Sequence, residues 1–210
     1  MRIRKSICGI SLFIVLLFGI FFGLLIFKPF YKIQYEIIPE IKFSGLSEKQ
    51  YVSYTMQIVN YFFNGQRFVS VKDENGETVK NFFTKDEILH MVDVKKLIRF
   101  SLFLFVVSLF FSALCFRFVK DKRNLLVGVS LVGMIFISIL FLVSIFDFSD
   151  AFVLFHKLFF RNSLWLLPAN TKLIEMFPEK FFDDFAKVWF GIFFALNVAI
   201  YFVFSFLYDS

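Results

Sequence analysis

The sequence predicts an all-α integral membrane protein with four transmembrane helices, both termini inside (N-in/C-in), and a small α+β extracytoplasmic cap. Three observations predict it. Of the 210 residues 59% are hydrophobic and 19% charged, with mean hydropathy +0.74, too little charge to cover a water-facing surface. Four apolar runs reach the roughly 20 residues that a helix needs to cross a bilayer. The short basic segments fall at Arg2, Arg4 and Lys5 and again at Arg117, Lys120, Lys122 and Arg123, and the positive-inside rule places both in the cytoplasm.

Residues 1–27 hold the N-terminal tail and the first span. The opening "MRIRKS" resembles the start of a signal peptide, but the apolar run after it is too long for an h-region and no A-x-A site follows, so a retained anchor is expected. Residues 28–97 form the cap loop; loops of this length translocate largely regardless of their charge. Its first part, "KPFYKIQYEIIPEIKF", reads as extended. Ser47 then caps a short amphipathic helix ending near "NG", and "RFVSVKDENGETVKNFF" alternates around "ENGE" as a hairpin does. Thr84 with Glu87 makes a capping box, so a helix starts there and runs unbroken into the second span, 98–118. A basic cytoplasmic loop (119–124), the third span (125–146), an extracytoplasmic interfacial segment (147–187) and the fourth span with the C-terminal tail (188–210) complete the chain.

Several function classes fall away. Net charge is +6, but the basic residues are spread over loops in the positive-inside pattern, so no nucleic-acid partner is expected. The 37 phenylalanines read as lipid-facing bulk. Cys8 and Cys115 lie near cytoplasmic span ends and read as reduced, packed thiols, not as an outer nucleophile or disulfide. No G-x-S-x-G elbow, phosphate loop or dinucleotide fingerprint is present.

What remains is histidine. The chain has two, His90 on the helix entering the second span and His156 after the third, both expected at the outer water–lipid boundary. Asp86 and Asp93 share the helix face of His90. Three readings compete: acid/base chemistry, a metal site, or structural polar groups. Zinc would require His90, His156 and one of Asp86 or Asp93 to converge, and no H-E-x-x-H or clustered spacing supports that.

The segments around the two histidines, "EILHMVDVKKLI" and "FHKLFFRNSLWLLPANTKLIEMFPEKFF", resemble the two signature segments of the bacterial lipoprotein intramolecular transacylase (Lit) family. The patterns "HM.DVK", "FH..FF.N..W..P" and "LI..FPE.FF", the span count and the length all agree with it. Ser163 and Lys172 mark a stretch where members often carry an acid. The resemblance implies a multi-pass protein of the bacterial plasma membrane with its active site on the extracytoplasmic face. Its substrates would be diacylglyceryl-modified lipoproteins held in membrane lipid, and no cofactor or metal is implied. The implied reaction moves the sn-2 acyl chain onto the α-amino group of the lipidated cysteine, leaving a lyso form. His90 and His156 take the places of the family's two histidines. Asp86, Asp93, Arg161, Asn162 and Trp165 are candidate substrate-binding or orienting residues, Arg161 and Asn162 toward glyceryl or carbonyl oxygens, Trp165 as an interfacial anchor. An imidazole near neutrality suits this chemistry, because the attacking α-amine has a reference pKa of about 7.7 to 8.0 and must be neutral. The rival reading is a non-catalytic membrane scaffold whose outer cap binds a secreted partner.

Overall fold

The structure, a computed structural model, describes residues 2–206, without the side chains of 2–4 and 143–146. Arg2 and Arg4, which contribute to the basic N-terminal segment, and the last residues of the expected C-terminal tail, 207–210, therefore fall outside the described side chains or residues. Eight α-helices are described: α1 (Arg2–Leu25), α2 (Lys28–Ile37), α3 (Glu48–Phe63), α4 (Lys85–Phe118), α5 (Lys122–Phe146), α6 (Phe148–Phe159), α7 (Lys172–Met176) and α8 (Glu179–Phe206), with a 3₁₀ turn at Pro39–Ser44. Four of them, α1, α4, α5 and α8, are long and apolar enough to cross a membrane. The chain divides into two compact units, one of residues 1–23, 101–147 and 186–210, the other of residues 24–100 and 148–185.

In the first unit the helices turn apolar side chains outward, as at Phe103, Phe110 and Ile135, all about 60% exposed, and keep their few polar groups inside. The Trp189 indole of α8 donates to the Leu17 carbonyl of α1 at 3.0 Å. Arg123 of α5 donates to the Phe204 and Ser205 carbonyls at 2.8 and 3.0 Å, satisfying acceptors that the end of α8 leaves open. Asn197 is fully buried and donates to Phe193 O at 2.8 Å. Its Oδ1 lies against Gly133 of α5, where an added Cβ would come within 2.7 Å of that oxygen. Gly133 therefore permits the close helix–helix approach that small residues allow in a bilayer. Cys8 is buried in a cluster with Val119, Leu125 and Val129, against which Cys115 packs, and neither cysteine is in a disulfide.

The second unit carries the cap, and two readings change. The segment expected to be extended is helix α2. Pro29 suits a first helical turn, and Phe30, Tyr31 and Gln34, followed by Ile38 and Ile41, bury one side. That burial outweighs the strand preference of the aromatic and β-branched residues. Ile38 is extended (φ −106, ψ 102) ahead of Pro39, as the residue before proline tends to be.

The cap expected as α+β is helical, with one isolated antiparallel bridge, Lys72 to Thr78, among the described residues. The turn itself forms: Asp73 N donates to Glu77 O and Val79 N to Val71 O. The pairing stops there because Asn81 takes a left-handed conformation (φ 55), and a side chain occupies the outer edge. Gln57 of α3 accepts from Lys72 N at 2.7 Å and donates to Lys72 O at 3.0 Å, imitating a partner strand for one residue.

Helix α3 begins at the Ser47 capping box, with Ser47 Oγ accepting from Gln50 N and Gln50 Oε1 from Ser47 N. Its carbonyl end is closed by two cations of α4. Lys95, 7% exposed, donates to Asn64 O at 2.9 Å and Gln66 O at 2.8 Å and lies 3.9 Å from the Tyr61 ring centroid. Arg99 donates to the Phe62 and Asn64 carbonyls. Positive charge at a helix C-terminus is favourable, and here it also hydrogen-bonds the open carbonyls.

Candidate functional site

Helix α4 has 34 residues, about 51 Å at 1.5 Å per residue, whereas the hydrocarbon core of a bilayer is about 30 Å thick. The apolar stretch begins near Ile98, and residues 85–97, rich in charge, precede it. His90 belongs to this leading part. The Thr84–Glu87 box starts the helix: Thr84 N donates to Glu87 Oε2 at 2.6 Å and Glu87 N to Thr84 Oγ1 at 3.3 Å. Glu87 is fully buried, and its second oxygen accepts from Leu173 N at 2.6 Å, so one carboxylate caps α4 and holds the first turn of α7. Lys172 beside it donates to Ser44 O and to Glu175.

His90 follows Glu87 by three residues and is 8% exposed. Its Nδ1 is buried without a hydrogen-bond partner. His156 lies in the last turn of α6, also 8% exposed, and its Nδ1 is 2.7 Å from the Phe152 carbonyl one turn earlier. A carbonyl oxygen only accepts, so this contact puts the proton on Nδ1 and leaves Nε2 with its lone pair. The two imidazoles lie near parallel, 30° apart, with ring centroids separated by 6.1 Å. Phe160, 7% exposed, packs against both, at 5.3 Å from His90 and 5.5 Å from His156. Phe152 at 4.3 Å, Trp165 at 5.0 Å and Phe155 at 5.5 Å complete the aromatic surround of His156.

Burial, and then the neighbouring His156, push His90 down to about 4, with Asp93 pulling weakly the other way. Burial also lowers His156, opposed by the hydrogen bond to Phe152. Both rings are therefore neutral at pH 7. Among the described residues no group of three or more His, Cys, Asp or Glu is placed to hold a metal.

Of the residues singled out from sequence, His90, His156 and Trp165 come together. Asp93 and Asn162 meet at one side of them: Asn162 Nδ2 donates to Asp93 Oδ2 at 2.8 Å, and Lys96 takes the other oxygen at 2.8 Å. Burial works against the Asp93 charge, but those bonds hold its carboxyl below the usual range. Asn162 also accepts from Leu164 N, so it fastens the loop after α6 to α4. Asp86 and Arg161 are exposed. Sequence reasoning missed Phe152, Phe160 and the second bond of Glu87. Phe152, His156 and Phe160 stand at i, i+4 and i+8, one face of a helix, and that spacing was the available signal for the first two.

Fold and site together define a multi-span membrane protein whose second unit holds a paired-imidazole centre among aromatic side chains. The family model described as lipoprotein intramolecular transacylase Lit matches residues 6–182, a stretch that includes both histidines, and the chain belongs to the Lit family. The fold is similar to that of the membrane-integral Lit of Bacillus cereus, with TM-score 0.85 and 18% identity, covering 99% of this chain and 95% of that one. It is also similar to that protein's histidine-to-arginine variant (TM-score 0.80, 17% identity, 99% and 92% covered) and its histidine-to-alanine variant (0.79, 18%, 99% and 93%). No curated protein matches.

Proposed function

We propose that this chain transfers the sn-2 acyl chain of a diacylglyceryl-cysteine lipoprotein to the α-amino group of that cysteine, on the extracytoplasmic face of the bacterial plasma membrane. Both termini are then inside, as the basic segments at Lys5 and at Arg117 to Arg123 favour. The observation that carries the reading is the meeting of the chain's two histidines in one buried pocket, 6.1 Å apart. The two rings are thus close enough to serve one substrate headgroup.

His156 is the base. Its Nε2 lone pair takes a proton from the α-amine as the amine nitrogen attacks the ester carbonyl carbon and the C–N bond forms. His90, neutral at working pH, supplies a hydrogen bond to the oxygen that gains charge. An unpaired buried polar atom such as its Nδ1 costs about 1–3 kcal/mol, and a substrate oxygen arriving there removes that penalty where it aids the reaction. The tetrahedral intermediate then breaks the bond between the carbonyl carbon and the sn-2 oxygen, and His156 returns the proton to that oxygen. An amide and a free glyceryl hydroxyl result, and nothing else is consumed. Amine and ester belong to one molecule, so orientation supplies much of the acceleration; aligned intramolecular reactions reach effective molarities of about 10⁵ M or more.

The test is expression in a host making diacylglyceryl lipoproteins, followed by fragment mass spectra of the N-terminal lipopeptide. Total acyl mass stays unchanged while one chain moves to the amine, and His90→Ala or His156→Ala abolishes the move. The double variant is little worse than either single one, since residues acting as a unit are not additive. Spectra with both chains still on glycerol would refute the reading.

A further inference from the structure

We propose that Trp165 is a positioning residue for His156, and that the indole face, with the Phe152 ring, stabilises the positive charge His156 gains on taking up a proton. This rests on the base role given to His156 above. A histidine base that works with an acid has its imidazolium stabilised by a carboxylate at Nδ1. At His156 that place is filled by the main-chain carbonyl of Phe152, at 2.7 Å, which fixes the proton but carries no negative charge.

The charged and titratable groups on the elements packed around His156 do not replace the missing anion. On α4 these are His90, whose own protonation would oppose that of His156, and Asp93, whose two oxygens are taken by Lys96 and Asn162. On α6 and in the loop after it they are Lys157 and Arg161, both cationic and exposed, and Asp150, an exposed acid in the first turn of α6, whereas His156 lies in the last turn. What does lie against the ring is aromatic. Phe152 is at 4.3 Å, and Trp165 is at 5.0 Å with its plane only 31° from the imidazole. A cation within about 6 Å of an aromatic face is attracted by the ring quadrupole, most strongly by tryptophan.

The loop is built to keep Trp165 there. Asn162 fastens it to Asp93 and accepts from Leu164 N, and Leu166 N donates to Ser163 O, closing a turn that contains Trp165. A tryptophan serving as an interfacial anchor alone would require neither this tether nor the 5.0 Å contact with the imidazole.

The experiment is titration of the full chain in detergent micelles with ¹⁵N-labelled histidine. Only two imidazoles report, and His90→Gln assigns them. In Trp165→Phe the His156 pKa falls by about half a pH unit, and in Trp165→Leu by about one, while the His90 signal moves less. An unchanged His156 pKa in Trp165→Leu overturns the proposal. If Trp165→Leu does not fold, fluorinated tryptophans placed in the Trp189→Phe chain decide: a fall in the His156 pKa with each added fluorine supports the proposal, and a flat series overturns it. None of these readings needs catalysis. If His156→Ala retains transfer, the assigned reaction role fails while the titration still decides the Trp165 contact.

Discussion

Acid should destabilise this protein well before its carboxylates titrate, and His90 is the main cause, with the lowered His156 acting in the same direction. The ring is 8% exposed and its pKa falls from 6.5 to about 4, through burial first and His156 second. In the unfolded chain His90 takes up a proton near pH 6.5, whereas the folded chain resists until about 4. Its contribution is therefore fully present above 6.5, declines as pH falls through the interval, and levels off below 4. With one proton of difference the slope is about 1.4 kcal/mol per pH unit, so the whole interval is worth about 3 kcal/mol, or about 10 °C in Tm for a chain of this size. His90→Gln removes the titration and keeps a polar group of similar volume. Thermal unfolding of the detergent-solubilised chain, followed by near-UV circular dichroism from pH 7.5 to 4.5, compares the two. The wild type loses its advantage over the variant progressively below pH 6.5. Parallel curves would refute the claim that His90 is buried in its neutral form.

Gly133→Ala would bring a Cβ within 2.7 Å of Asn197 Oδ1, at a cost of about 1–3 kcal/mol; adding Asn197→Ala relieves the clash and restores much of the thermal stability. Glu87→Ala leaves Leu173 N–H without its acceptor, at a cost of about 2 kcal/mol, so the Leu173 amide should exchange with deuterium roughly thirty-fold faster while amides in α3 are unaffected. Cysteines at Asn75 and Asn170 should react with an impermeant thiol reagent in intact cells and one at Asn124 should not; labelling confined to Asn124 would invert the orientation.

Local signals in the sequence carried the long helices and their starts. Ser47 and Thr84 cap α3 and α4 because each box closes within three residues, and a bilayer makes spans legible from apolar run length alone. The losses are where a distant partner decides. Residues 28–37 have strand-like side chains, and their helix follows from burying Phe30, Tyr31 and Gln34 against neighbours that a local reading does not see. The hairpin stops after one bridge because Asn81 turns left-handed, and the outer edge of Lys72 is taken by Gln57, on another element. Glu87 was visible as a cap, but its bond to Leu173 spans 86 positions. Lys95 looks like one of two adjacent surface lysines until the carbonyls at the end of α3 are seen around it. The same limit governs the candidate site: each histidine was legible singly, and the pocket that pairs them is made by Phe160 and by the bond from Asn162 to Asp93.

The bond between His156 and the Phe152 carbonyl has a consequence for mutational robustness. Where a histidine is oriented by an acid elsewhere in a fold, a single codon change at that distant position can reverse the ring's proton placement. Here the acceptor is main chain, and every amino acid at position 152 supplies the same oxygen. The tautomer is thus specified within five consecutive residues of one helix, and substitution of the Phe152 side chain leaves the acceptor in place. Drift elsewhere in the cap can alter how strongly His156 acts, but the nitrogen it presents changes only if the last turn of α6 unwinds.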